Sequence, residues 1–338
     1  ASFGFSAAYR RLFRHGDTRG VDGQIILLAA TMLLFAPALS LGTVFGNSVG
    51  GAIAPVGLGM AFGAFVFGIG MQIGGSCASG TLFTVGSGNP RMMIVLVFFC
   101  LGAFWGSLDL AWWQSLPGLG TVSFSERWGW DVVLPVQLLV LLALYLGLGR
   151  LRRRTAENRE TPATVPLGRR LLRGPWPFVW GGISLAFLNW VTLVTAGHPW
   201  SITWGFTLWG AKIATLAGWD PATSGFWTGG FQQQALNGFI WQDVTSVMNI
   251  GIIGGAFLAM ILAKRVTSSW DKRWRPILAA VIGGLMLGYG ARLAYGCNIG
   301  AFISGAASGS LHGWVWILCA LPGNWIGMHL RRLFQLEP

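Results

Sequence analysis

The chain has 338 residues, 53% hydrophobic and only 10% charged, with a mean hydropathy of +0.59, 51 Gly and 19 Trp. A soluble domain carries about 25% charged residues, and no water-facing surface sustains the 68 residues from Gly23 to Pro90 without one Asp, Glu, Lys or Arg. These figures exclude an ordinary soluble protein and indicate a polytopic membrane protein set in a lipid bilayer.

A span needs about 20 mostly apolar residues, and in chain order the candidates lie at 24–44, 54–75, 91–112, 131–149, 177–196, 244–263, 277–296 and 313–331, eight in all. The formal net charge of +12 is concentrated in patches between them: Arg10, Arg11, Arg14 and Arg19; eight Arg from Arg150 to Arg173; five Lys or Arg from Lys264 to Arg275; and Arg331 with Arg332. An even number of spans separates successive patches. With Arg91 added, 20 of the 23 cations fall on one side, which the positive-inside rule makes cytoplasmic. The basicity therefore reads as a topology signal, and no nucleic-acid partner is expected.

Residues 150–175, with Pro162 and Pro166 among their Arg, read as a basic cytoplasmic linker between a first membrane repeat at 1–149 and a second at 176–338. No signal peptide is visible. Because the sequence opens at Ala1 rather than Met, the span count is a minimum.

At an offset of 220, GIGMQIGGSCASG (Gly68 to Gly80) aligns with GYGARLAYGCNIG (Gly288 to Gly300), matching Gly68, Gly70, Cys77 and Gly80 with Gly288, Gly290, Cys297 and Gly300. Each copy continues into a segment too short to cross, then into an apolar helix carrying GxxxG: Gly102 with Gly106, and Gly323 with Gly327. By the span count the two copies enter from opposite faces. The fold expected is thus an all-α membrane protein of two inverted-topology repeats with short re-entrant half-helices, its transport site near the midplane. Gly197 to Asp243 reads as further short helices that dip in and return, with residues 1–14 as the counterpart.

CASG and CNIG, with ASFGFSAAYRRLF near the start and DVTSVMNIGII at 243–253, resemble the YeeE/YedE family of membrane proteins, which includes thiosulfate uptake transporters. The resemblance implies an hourglass of inverted repeats in the bacterial cytoplasmic (inner) membrane. It also implies cysteines at the constrictions that pass thiosulfate inward, and a cytoplasmic sulfur-carrier protein that removes it. Two of the family's cysteine motifs fall on Cys77 and Cys297. The third, a Cys-Phe before an aromatic-Arg pair, is matched here by Gly4-Phe5 before Tyr9-Arg10, which leaves the identity of the sulfur anion open.

In apolar surroundings Cys77 and Cys297 should be neutral thiols, able to donate weakly to an anion and suited to a sulfur-terminated one. Half-helix N-termini would add backbone donors, Gly80 and Gly300 would admit close approach, and Ser76, Ser79 and Asn298 either donate to substrate or cap the half-helices. Arg292, within a span, either attracts the anion or snorkels, and Lys212 is a second candidate cation. Cys100 and Cys319 read as packing residues, and a Cys77–Cys297 disulfide is an alternative. No cofactor or metal is expected, because there is no CxxC, HExxH or acidic cluster. The leading reading is a thiol-lined conduit for a sulfur anion and not an enzyme. The alternatives are a membrane sulfurtransferase using a Cys persulfide and an accessory subunit of a larger complex. Inward movement of a dianion works against a negative interior by about 2.3 kcal/mol per charge per 100 mV, so net uptake needs an inward concentration difference, a coupled ion, or removal of the anion inside, the last being what the resemblance implies.

Overall fold

The computed structural model describes residues 3–152, 176–262 and 273–336. The 150–175 linker therefore lies almost wholly outside the described residues, as do Lys264, Arg265 and Lys272 of the later basic patch, while its Arg273 and Arg275 are described. Before the linker the helices are α1 (Phe5–His15), α2 (Arg19–Leu41), α3 (Leu58–Gly74), α4 (Ala78–Gly86), α5 (Pro90–Ser115), α6 (Phe124–Trp128) and α7 (Trp130–Gly147). After it come α8 (Phe178–Ala196), α9 (Thr203–Leu216), α10 (Gly230–Asn237), α11 (Val244–Leu262) and α12 (Trp274–Leu293). A π-helical turn, Asn298–Ile303, then runs into α13 (Ser304–Ala307) and is followed by α14 (Leu311–Leu330). The sheet structure among the described residues is two short antiparallel pairs, Thr43–Val44 with Asn47–Ser48 and Pro55–Gly57 with Gly118–Thr121. The polytopic all-α reading holds.

Seven stretches among the described residues are long and apolar enough to cross a membrane. Two of them, Leu58–Gly86 and Trp274–Ala307, run through the breaks at Cys77 and Cys297. The eighth expected span, 313–331, is helical as α14 but is not among the seven. His312, Pro322, Asn324 and three Trp dilute its apolar character, and it packs against α3 instead of presenting a uniformly greasy surface.

Local chemistry sets the helix ends. Asn89 accepts from the Met92 amide (3.2 Å) with Pro90 at the first helical position of α5. Asp17 accepts from the Arg19 amide (3.1 Å) where α2 begins. α3 stops at Gly75, whose φ of +93° turns the chain out of the helix.

The centre is made by α3, α5, α12 and α14, and its contacts are between glycine and backbone. Gly290 lies against the Gly63 carbonyl, Gly70 against the Leu287 amide and Gly283 against Gly74, so α3 and α12 run antiparallel. A Cβ at Gly288 would strike the Phe99 carbonyl, and one at Gly68 the Ala320 carbonyl. Gly102 abuts the Leu285 carbonyl as Gly323 abuts that of Phe65; Gly106 faces Tyr289 and Arg292 as Gly327 faces Ile69 and Gln72. Gly68 and Gly288, Phe65 and Leu285, Ile69 and Tyr289, and Gln72 and Arg292 are each 220 residues apart. The GxxxG pairs thus serve as helix contacts. At the perimeter the burial reverses: 17% and 22% of the most apolar stretches of α7 and α11 are buried, against 67% for Leu58–Gly86. The outer helices face lipid and the broken ones face protein.

If these close approaches hold the centre together, Gly68→Ala and Gly288→Ala will each lose about 1–3 kcal/mol of stability by overpacking, read as a lowered melting temperature in detergent. Gly254→Ala on α11, where a Cβ meets nothing within 4 Å, will lose none. Equal melting temperatures for the three variants would refute the packing account.

Candidate functional site at two broken helices

Both helix breaks are built from the same local pieces. After α3, Gly75 (φ +93°) is followed by Cys77 in extended backbone (φ −91°, ψ −175°) as the N-cap of α4. After α12, Tyr295 (φ +58°) and Gly296 (φ +152°) precede Cys297, again extended (φ −105°, ψ −167°), at the start of the π-helical turn. Gly296 is dictated twice, by its φ and because a Cβ there would lie 2.8 Å from the Ala301 amide nitrogen. In both copies the cysteine carbonyl accepts from the amide four residues on, from Thr81 at 2.9 Å and from Ala301 at 2.8 Å.

The two thiols are buried, Cys77 3% and Cys297 1% exposed. Their sulfurs lie within electrostatic range of each other, and Cys77 is also within range of Tyr9. All four cysteines are free thiols, so the disulfide alternative is not formed. Cys100 is buried and Cys319 half-buried in the α5 and α14 helices, as packing residues would be.

The expected companions divide. Ser79 Oγ stands 3.5 Å from the Cys77 sulfur. Gly80 leaves room for its neighbours: a Cβ there would displace the Ser76 hydroxyl and lie 3.6 Å from the Cys77 sulfur. Gly300 is less crowded: its nearest neighbours would be the Trp200 carbonyl and Ser201, at 3.8 and 3.9 Å. The Ile299 and Gly300 amides approach the Cys297 sulfur. Asn298 is fully buried and neither amide atom has a hydrogen-bond partner. Next to it is the Tyr9 hydroxyl of α1, also buried and without a partner, the two side chains facing one another outside hydrogen-bond geometry. Sequence reading passed over Tyr9 as a site residue, although the Tyr9-Arg10 pair was the available signal.

The two candidate cations are held by other partners. Lys212 donates to the carbonyls of Leu236 (2.7 Å) and Gly238 (2.6 Å), closing the carboxyl end of α10. Arg292 packs its Cβ against Gly106 and its guanidinium over the Phe226 ring at 4.7 Å. The charges that do gather lie at the carboxyl end of α3. There Arg91 Nη2 donates to the Ile73 carbonyl (2.9 Å) and Arg331 Nη1 to that of Gln72 (2.7 Å), satisfying carbonyls that the break leaves open. Burial, with Arg10, Arg91 and Arg14 near it, pushes the Arg331 guanidinium down to about 10, so it stays charged at neutral pH. Close by, Asp17 pairs with Arg19 (2.6 Å) and Asp22 with Arg152 (2.7 Å).

The family described as "Sulphur transport" matches residues 1–326. The thiosulfate transporter TsuA of Spirochaeta thermophila is 28% identical over 95% of this chain and 91% of its own length; TsuA of Escherichia coli is 24% identical over 79% and 73%. The probable transporter YedE of Escherichia coli is 32% identical over 45% of this chain, an alignment spanning only 37% of that longer protein.

Gly4 is extended (φ −111°, ψ 123°), and a Cβ there would meet only that of Ala7, at 3.9 Å. Gly4→Cys should therefore be accepted with an unchanged or raised melting temperature, since replacing Gly at a compatible site adds about 0.4–1 kcal/mol. A clear fall in melting temperature would show that this position cannot hold a thiol.

Proposed function

The chain belongs to the sulphur transport family, as a multi-pass membrane transporter and not an enzyme, and from that premise we propose that it conducts thiosulfate or a close relative along the thiols of Cys77 and Cys297. The observation that carries this reading is the convergence of two buried, reduced thiols from matching breaks in α3 and α12. The name of the Spirochaeta relative, matched over nearly the whole chain, supports the choice of anion.

In this reading 1–149 and 176–338 are two inverted copies. The antiparallel course of α3 and α12 and the glycine contacts paired at offsets of 220 and 221 support it. A neutral thiol lends a soft, weak donor to a sulfur-terminated anion, where a thiolate would repel it. Weak successive partners allow exit as well as entry. The Arg-rich end, with Arg10, Arg14, Arg91 and Arg331, is the cytoplasmic one by the positive-inside rule. That end would also suit an acidic sulfur-carrier protein taking the anion away. Arg292 and Lys212 serve this function indirectly, through helix packing.

The test is uptake of labelled thiosulfate into proteoliposomes. Wild type will accumulate the label, and Cys77→Ala and Cys297→Ala, each a small change at a buried position, will lower uptake at least about tenfold, the effect of about 1.4 kcal/mol at the limiting barrier. Uptake unaffected by both substitutions would reject the thiol conduit.

A further inference from the structure

We propose that Tyr9 and Asn298 form a polar clasp between the two thiols that holds the oxygen end of the transported anion, so that the protein selects anions carrying both a terminal sulfur and oxygens. The proposal rests on the conduit reading and deepens it.

A buried polar atom without a partner is costly, because it gives up water and gains nothing in return, and native structures keep few of them. In Gln72, Gln137 and Asn249 the orphan oxygen belongs to an amide whose nitrogen is engaged, by the Ser6 carbonyl and Asn324, by the Ala306 carbonyl and by the Ile202 carbonyl respectively. Asn298 differs: both of its atoms are unpartnered at 0% exposure. Tyr9, 2% exposed, adds an unpartnered hydroxyl beside it. Three orphan polar atoms on two adjoining side chains is the condition a site is in when its partner is a ligand.

Their neighbours define which ligand. Tyr9 lies near Cys77, and Asn298 directly follows Cys297 in the chain, so two hard donors, a phenol O–H and an amide N–H, stand among two soft thiols. An anion with oxygens at one end and sulfur at the other satisfies both kinds of group at once. An anion with oxygens alone leaves the thiols poorly matched, and one with sulfur alone leaves Tyr9 and Asn298 as they are. The Asn298 carbonyl oxygen remains to accept from water or a thiol proton.

The experiment measures labelled thiosulfate uptake by wild type, Tyr9→Phe, Asn298→Leu, Cys77→Ala and Cys297→Ala in proteoliposomes. Sulfate (oxygens only) and thiocyanate (sulfur without oxygen) serve as competitors, and melting temperature is recorded for each variant. Expected for Tyr9→Phe and Asn298→Leu is at least about a tenfold fall in thiosulfate uptake, from loss of one hydrogen bond to an anion. Thiocyanate should then compete relatively better than in wild type, and the melting temperature should not fall, because an isosteric apolar group replaces an unpaired polar one. Uptake within twofold of wild type with competition unchanged would overturn the clasp while leaving the conduit standing. A loss of uptake accompanied by a lowered melting temperature would mark a structural role and overturn it too. Inert wild type, or full uptake by both cysteine variants, would remove the conduit reading and the clasp with it.

Discussion

Wherever α3, α5, α12 and α14 meet, a glycine rests on a neighbour's peptide group: Gly288 on the Phe99 carbonyl, Gly68 on that of Ala320, Gly102 on Leu285 and Gly323 on Phe65. Lipid tails are as apolar as leucine, so burying side chains gives membrane helices little reason to associate. Close backbone approach through small residues gives them van der Waals contact instead. Such contacts are intolerant of extra atoms and fix the axial register of the helices. Register decides the height at which α3 and α12 stop, and so the height at which Cys77 and Cys297 are presented.

A helix that ends inside a membrane protein must find partners for its last carbonyls and the next helix's first amides. The carboxyl end of α3 meets this with cations, Arg91 reaching Ile73 and Arg331 reaching Gln72. The corresponding end of α12 closes without them, by backbone bonds from Ala294 to Gly290 and from Gly296 to Ala291. The two breaks therefore share a local backbone form but not an electrostatic character: one lies over a cluster of guanidinium groups, while the other leads into a π-helical turn whose irregular backbone sets Asn298 beside Tyr9. π-Helical turns recur at functional sites because they re-aim side chains that a regular helix would hold elsewhere.

Membrane character, the number of long apolar stretches to within one, the matched glycines and the two cysteines were legible in the sequence alone. Each follows from composition or short-range pattern: charge-free runs can only be buried or lipid-facing, and Gly75-Ser76-Cys77 and Tyr295-Gly296-Cys297 carry their own helix-stopping chemistry. The lower apolarity of α14 is itself legible in His312, Pro322, Asn324 and three Trp, but spacing does not show that Gln72 donates to Asn324 across 252 residues. Arg292, with attraction of the anion and snorkelling both open, and Lys212 stood as candidate cations because charge is visible in a sequence and direction is not. Their partners, Phe226 for one and the Leu236 and Gly238 carbonyls for the other, come from segments that only the packing of α9, α10 and α12 brings near. Tyr9 and Asn298 stand 289 positions apart in the chain. Local propensity acts over a few residues, so their meeting was decided by the tertiary structure, through glycine contacts that leave the helices one way to fit.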